Sequence, residues 1–104
     1  MEGEYLQVAI SAENKNQADK ILNVLLGKKL VTGGQIVSAP ARFRWEGEIV
    51  DMSYVTIFSY TKRVFKEKIV KEVEKVSVEE VPMITFTPFE GNKKLTSWID
   101  KTLK

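Results

Sequence analysis

From Leu30 to Tyr60 the chain reads as one long antiparallel hairpin, and this feature constrains the fold more than any other. Ala41, Phe43 and Trp45 alternate with Arg42 and Arg44, Glu46-Gly47 supplies a turn, and Glu48-Ile49-Val50 opens a strand that reads to Tyr60. The first arm, beginning at Leu30, is interrupted by Gly33-Gly34. A glycine pair inside a strand marks a bend, a bulge or a close backbone approach, and a bulge suits this pattern. Pro40 then kinks the arm without ending the sheet. Arms this long leave edges that need covering, which subunit association would supply.

The flanking segments carry strand and helix periods. Tyr5 to Ile10 alternates, with Leu6, Val8 and Ile10 on one face, which predicts a strand. Ser11 to Glu13 read as a polar break. Asn14 then caps a helix, with Gln17 three residues on completing a capping box, and Ala18, Ile21, Leu22 and Leu25 form its apolar stripe. Thr61 stands at the cap position of a second helix striped by Phe65, Ile69, Val73 and Val76. Pro82 and Pro88 bracket Met83 to Thr87, a fourth strand. After Gly91-Asn92 a closing helix aligns Leu95, Trp98, Ile99 and Leu103, with Asp100 four residues before Lys104. The order βαββαβ plus a C-terminal helix predicts an α+β fold, a ferredoxin-like split βαβ sandwich on an antiparallel sheet, with residues 1–104 as a single domain.

Composition removes most familiar chemistry. The 104 residues include no Cys and no His, which excludes thiol catalysis, disulfides, imidazole bases and Cys or His metal sites. Sixteen basic against fourteen acidic residues give +2, too balanced for a nucleic-acid charge field. The acidic start, Met1-Glu2-Gly3-Glu4, and the lack of a long apolar run imply a soluble cytoplasmic protein with no membrane partner. No Ser or Thr has a recognisable activating partner, and Gly33-Gly34 lacks the spacing of a phosphate loop. Two acidic pairs, Glu46 with Glu48 and Glu79 with Glu80, are the nearest approach to a hard-cation site. A solvated turn and an acid-rich loop are the commoner explanations, since oxygen-ligand sites usually gather more than two carboxylates. Tyr54, Phe58 and Tyr60 share one face of the third strand, as an RNA-stacking platform would require. The strand lacks the basic residue and glycine of an RNA-recognition motif, however, so coverage by another subunit or helix is the better reading.

Trp45-Glu46-Gly47-Glu48-Ile49 resembles the Trp-x-Gly hairpin of the CutA family, the divalent-cation tolerance proteins. Three further segments match in order: Lys28-Lys29-Leu30 at the helix-to-strand junction, Glu80-Val81-Pro82 at the entry to the fourth strand, and Leu95-Thr96-Ser97-Trp98-Ile99 in the closing helix. The resemblance covers nearly the whole chain. It implies a non-enzymatic homotrimer of ferredoxin-like subunits, loosely tied to copper and other divalent metals, with a divalent cation or small ligand in its intersubunit clefts. Of the residues that match, Trp45 and Glu80 are candidates for ligand binding and only Glu80 could do ligand chemistry; Glu79 joins them as its acidic neighbour. Gly47, Pro82 and Trp98 match as structural positions. A sensor similar to the PII signalling proteins is the alternative, but those carry a long loop where this chain has only Glu46-Gly47.

The departures bear on metal chemistry. The family usually has a Cys where this chain has Gly33, and a His before its Pro-Tyr-Glu segment, where this chain has Ser77 followed by Val78 and Glu79. The family's Lys near the end of the third strand falls at Ser59 or Tyr60, and its second Glu after the proline falls at Met83. The soft ligands are thus replaced, and the metal ligands are left undefined. What remains are the thioethers of Met1, Met52 and Met83, scattered over three elements, and carboxylates such as Glu79, Glu80 and Glu90, which suit weak hard-ion binding.

Overall fold

A computed structural model describes residues 3–104. Strand β1 (Tyr5–Ala12) leads to helix α1 (Lys15–Gly27), and the long hairpin follows as β2 (Gln35–Trp45) and β3 (Glu48–Lys62). A short 3₁₀ turn (Arg63–Phe65), helix α2 (Lys66–Val76), strand β4 (Ile84–Pro88) and helix α3 (Lys93–Thr102) complete the order. The four strands lie in the order β2-β3-β1-β4, and every neighbouring pair is antiparallel. This is the arrangement expected from the alternation.

Strand alternation separates two faces. Leu6, Val8, Ile10 and Ala12 of β1 and Val55 and Ile57 of β3 are buried, and most of them form one core with Ala18, Ile21 and Leu25 of α1 and Ile69 and Val73 of α2. Full burial of each Val, Leu or Ile contributes roughly 1.5–3 kcal/mol, which is why the helices stay on this face. The opposite face carries Tyr54, Phe58 and Tyr60 and is open except where α3 and the segment before β4 lie near it. Helix α3 is held on both its polar and its apolar side. Asp100 accepts a hydrogen bond from the Tyr5 hydroxyl at 2.9 Å and pairs with the Lys62 ammonium at 3.0 Å, rather than with Lys104. Ile99 and Leu103 are buried, while Trp98 remains 47% exposed.

Four local expectations change. Gly33-Gly34 is not a bulge within β2, because the strand begins at Gln35; the pair forms a close approach before it. A Cβ on Gly34 would stand 3.0 Å from Leu22 Cδ1 and 3.2 Å from Ile57 Cγ2. Thr61 caps no helix: β3 continues past it, and its buried hydroxyl donates to the Leu30 carbonyl at 2.7 Å. Ser11 belongs to β1 rather than to a polar break. Asn14 Oδ1 does accept from the Gln17 amide N–H at 2.9 Å, but the Gln17 side chain does not return the bond. Its Oε1 accepts instead from the Val78 N–H at 2.8 Å, tying α1 to the segment after α2.

The hairpin closes through the two residues between the Trp45–Glu48 pair, with φ of 49° at Glu46 and 83° at Gly47. Positive φ at both central positions is the geometry that matches the twist of paired strands, and glycine takes it without a Cβ penalty. Gly47→Ala should therefore lower unfolding free energy by about 1–2 kcal/mol, with Gly47→Asn closer to wild type, as measured by urea denaturation.

Candidate ligand groove

The candidate site is built by the irregular segment between α2 and β4. Helix α2 stops at Ser77, whose backbone turns extended (ψ 139°) and whose hydroxyl accepts the Glu79 N–H at 3.1 Å. Further along, the Met83 N–H donates to Ser11 Oγ at 2.8 Å and the Ser11 N–H donates to the Met83 carbonyl at 2.9 Å, so the segment is stitched to the end of β1. Between these anchors Glu79 turns toward the sheet. Its Oε1 accepts a hydrogen bond from Ser11 Oγ at 2.9 Å and a second from the Tyr54 hydroxyl. Its Oε2 is buried with no hydrogen-bond partner.

An open-sided groove of about 470 Å³ runs between this segment and the hairpin. Phe43, Val50, Met52 and Val81 give it apolar walls, and Glu13, Arg44, Glu79 and Glu80 bring charge. Phe43 and Tyr54 meet edge to face, with ring centroids 5.3 Å apart. Glu79, Glu80 and Trp45, the residues singled out from sequence, all line this groove. Glu90 does not: it is exposed beyond the far end of β4. Met52 and Met83, read as scattered, both line the groove, and Met1 lies outside the described residues. Glu46 and Glu48 are exposed beside the turn.

Gly33 and Ser77, which the resemblance sets against a Cys and a His, do not line a common groove. The Gly33 carbonyl accepts from the Ser59 hydroxyl in a smaller groove of about 260 Å³ that Gln7, Tyr60 and Trp98 also line, whereas Ser77 ends α2. Among the described residues no group of three or more His, Cys, Asp or Glu side chains is placed to hold a metal ion. The aromatic face is similarly divided. Tyr54 is engaged by Glu79, Tyr60 packs against Phe89 at 5.1 Å, and Phe58 is 36% exposed.

Sequence reasoning missed Ser11 and the part played by Tyr54. The alternation Leu6, Val8, Ile10, Ala12 carries β1 through Ser11 and could have placed that hydroxyl on the Tyr54 face. The Tyr54–Glu79 contact spans 25 positions and leaves no local trace.

This is a ferredoxin-like domain with an acidic, apolar-walled groove against its hairpin. The chain belongs to the CutA family: the model for the CutA1 divalent ion tolerance protein matches residues 6–102. It is 29% identical over 98 residues to the divalent-cation tolerance protein CutA of Archaeoglobus fulgidus, covering 93% of this chain and 96% of that protein. The solved structure of the A. fulgidus protein, described as periplasmic, superposes with a TM-score of 0.92 at 27% identity, over 96% of this chain and 99% of that one. At lower identity the likeness shows the fold. The divalent cation tolerance protein of Thermus thermophilus gives a TM-score of 0.90 at 24% identity, covering 96% of this chain and 99% of that one. CutA1 of Oryza sativa gives 0.92 at 18% identity, covering 99% and 96%. No helix among the described residues is long and apolar enough to cross a membrane.

The Tyr54 hydroxyl is pushed up to about 12, first by burial and then by its hydrogen bond to Glu79. A pKa raised on folding stabilises the folded state fully below the ordinary tyrosine value of 10.0 and loses that contribution as pH climbs toward 12. Wild type should therefore lose more thermal stability than Tyr54→Phe across that alkaline window. Tyr5, raised by its bond to Asp100, contributes to both proteins and cancels in the difference. Melting temperatures of the pair at a series of alkaline pH values would check it.

Proposed function

We propose that this protein acts as a non-enzymatic, homotrimeric binding protein whose groove beside the hairpin takes a cation or small ligand. One observation carries the reading: Glu79, Glu80 and Trp45 converge on a single groove. Supporting the trimer, Val37, Met52 and Phe58 are exposed hydrophobics in the hairpin, and β2 is an edge strand of 11 residues. An edge of that length is a liability unless it is covered, and a closed ring of identical copies would cover each one.

Light scattering should return about three times 11.9 kDa at micromolar concentration, and a clean monomer would remove the assembly. Trp45 is 41% exposed in the single chain, which supports a place for it in the interface between copies. Trp45→Ala should weaken assembly more than it weakens the fold of each subunit. A trimer of unchanged melting temperature would instead leave the indole as a surface ligand contact or as a residue with no role.

For metal, the donor set of the groove is oxygen with thioether, and the tight nitrogen and thiolate donors are missing. Affinity for Cu(II), Zn(II) and Mg(II) should be modest, show no soft-ion preference, and fall as pH drops through the carboxylate range at ~4. Calorimetry with the three ions on wild type and Glu80→Gln decides the point: nanomolar copper binding that survives the substitution would place the metal elsewhere.

A further inference from the structure

We propose that the outer face of helix α3 is a docking surface for an acidic segment of a protein partner. The proposal is independent of the groove beside the hairpin, and none of its residues belongs to the hairpin. Lys93, Lys94, Lys101 and Lys104 lie in or just beyond this helix, and all of them are exposed. Lys93, Lys94, Ser97, Trp98 and Lys101 line an open depression of about 310 Å³ on its surface. The one acidic residue of the helix, Asp100, is turned away from it. Both of its carboxylate oxygens accept from the Tyr5 hydroxyl, at 3.1 and 2.9 Å, and it pairs with Lys62. Among the described residues no carboxylate lies within ion-pair distance of the lysines of α3 or of Lys104, whereas Lys15, Lys28, Lys62 and Lys75 all have acidic partners.

The fold does not account for this charge. Lys93 and Lys94 occupy the first turn, where the helix dipole favours acidic side chains, and no acid stands there. The helix is anchored elsewhere, by Asp100 and by the buried Ile99 and Leu103, so the lysines only repel one another. A small anion is a poor occupant, because the depression is open and formed by one helix, and Lys93 and Lys101 are about 12 Å apart along the axis at 1.5 Å per residue. Several carboxylates on one partner span that distance, since an extended chain covers it in about four residues. The half-exposed Trp98 indole beside the lysines offers an apolar contact to the same segment, and Trp is the residue type that most often anchors such interfaces. A membrane surface fits less well: an interfacial helix inserts its apolar face, and here Ile99 and Leu103 are buried in the domain. Single-stranded nucleic acid is bound by successive aromatics along a basic groove, and this depression has one aromatic.

The probe is a short peptide of glutamates around one leucine, and its neutral analogue carries glutamines in their place. Both are titrated into the full-length protein at low ionic strength and followed by amide chemical shifts and calorimetry. The acidic peptide should bind saturably, roughly tenfold or more tightly than the analogue, with shifts centred on Lys94, Ser97, Lys101 and the Trp98 indole N–H, and should weaken as salt is raised. K94E combined with K101E should remove roughly tenfold or more of that affinity. K20E combined with K68E, the same charge change at exposed lysines of α1 and α2, should alter it by less than about threefold. Equal affinity for peptide and analogue overturns the proposal. Equal loss in the two double variants overturns it as well, because net charge would then explain the binding. At the same salt, tighter binding of an oligothymidine, or of vesicles of phosphatidylglycerol in phosphatidylcholine, abolished by K94E with K101E, overturns it in favour of that polyanion. Should the charge reversal disturb the circular dichroism of the fold, K94A with K101A takes its place, and affinity unchanged in that variant overturns the proposal.

Discussion

The packing of Ile57 against Gly34 and Leu22 is the contact on which the rest of the structure depends. Ile57 is fully buried in β3, and the bare Cα of Gly34 lets the chain entering β2 pass close to both it and Leu22 of α1. Three elements therefore meet at one point: the first helix, the entry to the hairpin and its returning strand. With that point fixed, the register of β2 on β3 runs without interruption from Gln35–Phe58 to Trp45–Glu48. The tip of the hairpin, and with it Trp45, is placed by a junction at the opposite end of β2. Interiors are close-packed and transmit such constraints.

A single carboxylate has a comparable role on the other face. Segment 77–83 has no regular structure, yet its course is set by the Gln17–Val78 bond, the Ser11–Met83 pair and Glu79, whose Oε1 gathers donors from β1 and β3. Hydrogen bonds to a charged group contribute roughly 1.5–3 kcal/mol each, enough to hold a loop that buries little apolar surface. The arrangement joins stability to recognition. The groove has one polar end because the carboxylate that anchors the loop is also one of its walls.

Periodicity carried the architecture well because β1 and the second half of β3 each bury one face and each of the first two helices has one apolar stripe. The strand and helix order, the turn at Glu46-Gly47 and the Asn14 cap were all legible. What alternation could not resolve were positions where a polar side chain is used tertiarily. Thr61 and Gln17 have the residue types of local caps, and both spend their side chains on partners far along the chain, Leu30 and Val78. Glu79 and Glu80 are adjacent and chemically identical in sequence, so only the three-dimensional path shows which is held and which is solvated. Met52 and Met83 are 31 positions apart by their numbering, and their place on one groove depends on the irregular segment that sequence patterns describe least.

Family membership and residue chemistry answer different questions in this protein. The backbone is shared with solved structures as little as 18% identical, so the fold demands few particular side chains beyond its core pattern and its turn. Donor atoms are then free to change without disturbing the frame. Gly33 gives its carbonyl to the Ser59 hydroxyl, and Ser77 ends a helix. The acidic group that the structure isolates, Glu79, lies beside an apolar wall rather than among other metal donors. Soft-metal affinity depends on thiolate and imidazole, whereas a lone carboxylate beside hydrocarbon surface discriminates by charge and shape.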